Sequence, residues 1–219
     1  MRDTLYVINP NSSQAVTAGI EIAMAPLRRA GGPRIECVTL ADGPPGVQTQ
    51  QDVDRAALSV LRFAQEHQQS AAGFITACFS DPGLHMLREL PRTLALGISE
   101  CGALTALTLG QRFGVLAILQ GSIARHWRNW GAMGITQRVA GEVAIGRGVT
   151  ALADHDATLA AMVAAGLRLR DEHGANVLLM GCAGMAAFRA PLEDAVGLPV
   201  VEPTQAAVAM ALGRIQLGW

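Results

Sequence analysis

Charge is scarce in this chain: Asp, Glu, Lys and Arg make up 16% of its 219 residues, the net charge is −1, and the basic residues form no long run. That excludes the electrostatic footprint of a nucleic-acid or anionic-membrane partner. No uninterrupted apolar stretch reaches the roughly 18 residues of a membrane span. The N-terminal run Leu5-Tyr6-Val7-Ile8 stops at Asn9-Pro10-Asn11, too short for the apolar region of a signal peptide. A soluble, cytoplasmic protein is the expectation, and in that reducing compartment cysteines stay thiols. The four cysteines, Cys37, Cys78, Cys101 and Cys182, include no Cys-x-x-Cys pair, which excludes a zinc ribbon and a redox dithiol motif. His67, His85, His126, His155 and His173 show no i, i+4 pairing and no neighbouring carboxylate cluster, so no metal is expected and solvated helix faces are the default for them. There is no Gly-x-Ser-x-Gly elbow and no phosphate-binding Gly-x-x-x-x-Gly-Lys, and Gly146-Arg147-Gly148 is too short to suggest a dinucleotide. What is left is a small-molecule ligand.

What is present is a repeat. Phe74-Ile75-Thr76-Ala77-Cys78-Phe79-Ser80-Asp81 and Leu178-Leu179-Met180-Gly181-Cys182-Ala183-Gly184-Met185 each carry a cysteine at the end of an apolar run. A further apolar segment ending in a glutamate follows each, with Glu100 and Glu202 lying 22 and 20 residues beyond their cysteines. Half of the residues are hydrophobic, and 24 Gly and 10 Pro are spread without a low-complexity segment. A chain of this length fits two domains of about 100 residues. Two related halves facing each other would bring one thiol to each side of a bound molecule.

Short, continuously apolar strands are expected at Leu5–Ile8, Arg34–Leu40, Gly73–Ala77 and Leu94–Ile98, then at Phe113–Leu119, Val139–Ile145, Asn176–Met180 and Pro199–Val201. Between them fall helical patterns near Gln14, over Asp52–Gln68 and Pro82–Leu90, around Arg125–Trp130, over Asp154–His173, around Ala190–Ala195 and over Gln205–Leu217. This alternation predicts an α/β fold of two pseudo-symmetric lobes, each a short parallel sheet flanked by helices, with a ligand cleft between them. Ligands in such folds sit at the carboxyl ends of strands. Asn9, Asn11, Cys78, Glu100, Gln120, Cys182 and Glu202 all fall there.

A thiol acts as a general base only as thiolate, and a place at a helix start is expected to lower the pKa of both Cys78 and Cys182. The plain alternative for each is a small core residue; the duplicated context favours function. Asn9-Pro10-Asn11-Ser12-Ser13 either offers donors to a carbonyl or carboxylate or is simply a turn and helix cap. Glu100 and Glu202 read best as capping carboxylates at helix starts. Trp127 and Trp130 read as packing against a neighbouring element or a second subunit, or as a pocket wall.

The blocks Val7-Ile8-Asn9-Pro10-Asn11-Ser12-Ser13, Ala77-Cys78-Phe79-Ser80-Asp81-Pro82-Gly83-Leu84 and Gly181-Cys182-Ala183-Gly184-Met185 resemble the aspartate/glutamate/hydantoin racemase family, in particular its hydantoin and allantoin racemase branch, in order along the whole chain. The resemblance implies a cofactor-independent racemase with Cys78 and Cys182 as the two bases. It implies substrate contacts from Asn9, Asn11, Ser12 and Ser13 and from backbone N–H groups after each cysteine. Val47, Phe79, Ser80, Gln120, Ala183 and Gly184 complete the expected substrate-binding set. The chain departs from the branch's pattern at Val47-Gln48-Thr49, at Ser80 and at Cys101, and substrate choice is expected to turn on those positions, although Cys101 reads best as a buried core residue. The lobes are expected to comprise residues 1–98 with 204–219, and residues 99–203, in a homo-oligomer. Decarboxylation or isomerisation of a small acid on the same fold, racemisation of an Asp/Glu-type amino acid, and non-catalytic small-molecule binding are the competing readings.

Overall fold

A computed structural model describes residues 2–219. The first sheet holds β1 (Thr4–Asn9), β2 (Arg34–Thr39), β3 (Ala71–Thr76) and β4 (Ala95–Gly97), in the order β2-β1-β3-β4. The second holds β5 (Phe113–Ala117), β6 (Val139–Ala144), β7 (Val177–Met180) and β8 (Val200–Val201), in the matching order β6-β5-β7-β8. All pairings are parallel. The central strands β1 and β5 are buried along their full length, which is why they read as unbroken apolar runs. The edge strand β6 alternates buried and half-buried residues.

Helices α1 (Gln14–Met24), α2 (Gln50–His67), α3 (Leu84–Glu89) and α4 (Ile98–Leu109) belong to the first half of the chain; α5 (Gln120–Met133), α6 (His155–Asp171), α7 (Arg189–Val196) and α8 (Pro203–Leu217) belong to the second. The start of α1 is capped as the sequence leads one to expect, Ser13 Oγ accepting from Val16 N–H; at α2 a capping box of Thr49 and Asp52, and at α6 a cap from Asp154, do the same work. Helix α4, of which the sequence reading marks only a start near Glu100, fills the stretch between β4 and β5.

The last helix of each half crosses to the other. Ala207, Val208 and Ala211 of α8 pack with Leu5, Val7, Ile75 and Leu96 of the first sheet. Ala103 and Ala106 of α4 pack with Phe113, Val115, Val177 and Leu179 of the second. Small residues along both helices allow the exchange; a Cβ on Gly102 of α4 would stand 2.7 Å from Leu179 Cδ1 and 3.0 Å from Pro203 Cβ.

Strand register corrects one landmark. Phe74 pairs with Ala95 and Thr76 with Gly97, while Leu178 pairs with Val200 and Leu179 with Val201. Aligned through the cysteines, Glu202 therefore matches Gly97, not Glu100. Glu100 lies in the first turn of α4 and pairs with Arg88.

Candidate active site

Cys78 and Cys182 line one cavity between the two sheets, at the carboxyl ends of β3 and β7. Each follows its strand by two residues, so they occupy equivalent positions. Glycine brings the second strand end close: a Cβ on Gly181 would lie 2.5 Å from Leu116 O. Cys182 opens a short 3₁₀ turn over Ala183–Phe188, and Gly184 N–H donates to its Sγ at 3.4 Å. Cys78 opens a tight turn instead, closed by Asp81 N–H to Cys78 O at 2.9 Å, with Asp81 at φ 43° and α3 starting only at Leu84.

The expectation of lowered thiol pKa values is overturned. Burial pushes Cys78 up to about 12, against the Ser80 N–H, with Cys182 and Asp81 adding to the rise and Arg125 opposing it. Burial also pushes Cys182 up to about 11, against the Gly184 N–H, with Glu202 adding to the rise. A short turn does not supply enough positive field to offset loss of water around the sulfur.

Of the residues expected at the ligand, Asn11, Val47, Phe79, Ser80, Ala183 and Gly184 line the cavity with the two thiols. Asn9, Ser12, Ser13 and Gln120 do not line it. Asn9 is fully buried and its amide is spent holding the loop, donating to Asn11 Oδ1 (3.0 Å), Ser13 O (3.1 Å) and Thr17 Oγ1 (3.0 Å). Ser12 N–H donates to Pro44 O, Ser13 caps α1, and Gln120 is exposed at the start of α5. That loop presents Asn11: its Oδ1 accepts from Asn9 and from Ser13 N–H, and its Nδ2 has no partner among the described residues. Of the departures from the family pattern, Val47 and Ser80 line the cavity, while Cys101 is 1% exposed in the core between α8 and the first sheet.

Residues that sequence reasoning misses come from α5 and from apolar positions. Ser122, Arg125 and His126 line the cavity, as do Val16, Ile118 and Val149. The default of a solvated face fails for His126, whose side chain is 2% exposed and paired through Nδ1 with the wholly buried carboxylate of Glu142. Trp130 packs inside, edge-on to Phe79 and Phe113, while Trp127 is exposed. The spacing of Ser122, His126 and Trp130, four apart, was the available signal for an inward face.

Arg125 also joins the halves, donating from Nη2 to Gln48 O at 2.9 Å, and Arg128 donates to Gln50 Oε1 at 2.7 Å. A Cβ on Gly46 would lie 2.9 Å from Val149, and one on Gly148 would lie 2.9 Å from Gln48 Nε2. With this clasp closed, the cavity measures about 30 Å³, room for about two waters. Among the described residues no three His, Cys, Asp or Glu side chains group as a metal site, and no helix is long and apolar enough to cross a membrane.

A duplicated α/β fold with a cysteine from each half at one cavity narrows the class, and comparison with known proteins names it. The Asp/Glu/Hydantoin racemase family matches residues 5–211, and the chain belongs to it. It is similar to a hydantoin racemase of Pseudomonas sp. (strain NS671), 31% identical over 216 residues, covering 98% of this chain and 86% of the relative. A hydantoin racemase of Paenarthrobacter aurescens is 29% identical over 219 residues, covering 98% and 92%. The structure of an allantoin racemase from Klebsiella pneumoniae superposes with a TM-score of 0.92 at 30% identity, over 98% of this chain and 88% of that one. The protein is an isomerase of the racemase class.

Proposed function

We propose that the protein inverts the carbonyl-activated stereocentre of a cyclic ureide, a 5-substituted hydantoin or allantoin, with Cys78 and Cys182 as opposed base and acid. The observation that carries this reading is the placement of both thiols at one cavity from equivalent strand ends. In such a ring the hydrogen at C5 lies beside a carbonyl. One sulfur, as thiolate, takes that proton; the electron pair moves to the carbonyl oxygen, and the opposing thiol delivers its proton to the other face. Asn11 Nδ2 is the donor with capacity to spare for the oxygen. Burial favours the thiol form of both sulfurs, and Arg125 favours the working thiolate at Cys78. The proposed step calls for no cofactor, and a pyridoxal phosphate Schiff base has no lysine to form on, since all 17 residues counted as Lys or Arg are arginine.

The same reading divides the chain into residues 1–98 with 204–219, and 99–203, supported by the exchange of α4 and α8. It places the protein in the cytoplasm, in keeping with four free cysteines, and in a homo-oligomer, in keeping with exposed Ile22, Leu58, Leu109, Trp127 and Trp219; light scattering reports the assembly. The deciding experiment follows optical rotation and solvent-deuterium uptake on enantiopure hydantoins and allantoin. Loss of rotation with deuterium at C5 is expected. Carbon dioxide release, or ligand binding with no exchange at any carbon, sinks the proposal.

A further inference from the structure

Most of the cavity wall is apolar, but α5 turns Ser122, Arg125 and His126 towards it. Behind His126 lies a carboxylate that protein stability alone does not call for. The Glu142 side chain is wholly buried on β6, on the strand face it shares with Ala140 and Ala144. Its Oε1 pairs with His126 Nδ1, and its Oε2 has no partner among the described residues. A buried ion or hydrogen-bonded pair of this kind adds little stability over apolar side chains of similar size. A carboxylate in this place favours the tautomer with its hydrogen on Nδ1, and a ring in that tautomer presents Nε2 as an acceptor. Nε2 has no hydrogen-bond partner among the described residues and, unlike Glu142 Oε2, is not sealed off. His126 is itself part of the cavity lining. Phe79, next to Cys78, packs edge-on against the ring at 5.0 Å and 82°, so the ring is held from both sides.

We infer that His126 contacts the substrate through Nε2, accepting a hydrogen bond from an N–H of the bound molecule, and that Glu142 is the positioning residue that keeps this acceptor in place. The inference rests on the proposed racemisation and adds a recognition rule to it. Asn11 answers a carbonyl oxygen on one side, and His126 answers an N–H donor on the other. A ring or substituent in which that N–H is methylated is therefore bound about tenfold to a hundredfold more weakly, the effect of leaving one buried partner unmet.

The test uses the whole protein with allantoin and 5-methylhydantoin as probes, and combines steady-state kinetics with ¹⁵N spectra of the histidine rings. In the wild type, a saturating probe is expected to shift the His126 Nε2 resonance while Nδ1 stays protonated. His126→Gln is expected to raise KM about tenfold to a hundredfold with a smaller change in kcat. Glu142→Gln is expected to mix the ring tautomers and raise KM less. An Nε2 resonance that ignores both probes, or a folded His126→Gln variant with wild-type KM, overturns the inference; should the variants fail to fold, the wild-type spectrum decides. Deuterium uptake by the wild type is read in the same samples. A protein that shifts Nε2 but never exchanges the C5 hydrogen sinks the racemisation and leaves the contact standing.

Discussion

The two halves present their thiols from the same place on the same sheet and support them with different chemistry. Cys182 has Glu202 behind it, and that glutamate, 3% exposed, caps α8 by accepting from Thr204 and Gln205 N–H. In the first half the equivalent residue is Gly97. The cap of α4 comes instead from Asp81, in the turn after Cys78, which accepts from Ser99 and Glu100 N–H at 2.9 and 3.0 Å. Gly97 is the vacancy this carboxylate fills, since a Cβ there would stand 2.2 Å from Asp81 Cγ. Arg125 opposes the rise in pKa at Cys78, and no matching cation is among the groups acting on Cys182. The halves thus kept the sulfur positions and let the residues that carry charge and capping move.

The comparison breaks hardest at the thiols. Cys78→Ser and Cys182→Ser are each expected to slow racemisation by about a thousandfold or more, within the range removed with a general acid or base. Each variant should still exchange hydrogen on the face of its surviving thiol, so deuterium uptake by opposite enantiomers should be retained in the two. Similar residual racemisation in either one at near-wild-type rate would end the two-base account. In the wild type, kcat/KM should climb with pH across the neutral and alkaline range, because the thiolate is the working form and burial holds its pKa up at about 12 and 11. A plateau reached below neutrality would mean a preformed thiolate.

The capping difference can be tested by swapping it. Gly97→Ala should destabilise the fold by about 1–3 kcal/mol through overpacking against Asp81, read as a shift in the denaturant midpoint. Asp81→Gly together with Gly97→Glu builds the Glu202 arrangement in the first half and should recover most of that loss. No recovery would show that the two caps are not interchangeable. A smaller effect should separate the thiols electrostatically: Arg125→Gln is expected to slow alkylation of Cys78 by about threefold to tenfold relative to Cys182, an effect reported peptide by peptide in a mass spectrometer. Smallest of all, Cys101→Ala should leave turnover unchanged, since that thiol packs away from the cavity, at a cost of about 1 kcal/mol in stability.

Strands and cysteines were legible because parallel strands buried on both faces leave continuous apolar runs, and the thiols stand where those runs stop. Helix α4 was not, for two physical reasons. Its buried residues, Ile98, Ser99, Cys101, Gly102, Ala103 and Ala106, spread around the helix instead of forming one stripe, and its cap lies 18 residues back in the chain. The pairing of Glu100 with Glu202 failed because an acidic residue near a helix start was matched by type, while strand register matches Glu202 to a glycine. His126 was taken for a surface residue because its partner, 16 positions on, belongs to another element. The thiol pKa values went the wrong way because local position was weighed without the depth of burial that tertiary structure imposes.

The crossing of α4 and α8 sets an order on the making of the protein. The first sheet emerges from the ribosome early, yet the helix that covers Leu5, Val7, Ile75 and Leu96 spans residues 203–217 and is made after the whole second half. Until then part of an apolar sheet face, the part that Ile20 and Met24 of α1 do not cover, is left open, a state prone to clumping in a growing chain. Neither half carries all of its own cover, so the pair must mature together, and a fragment ending before α8 should be a client of chaperones.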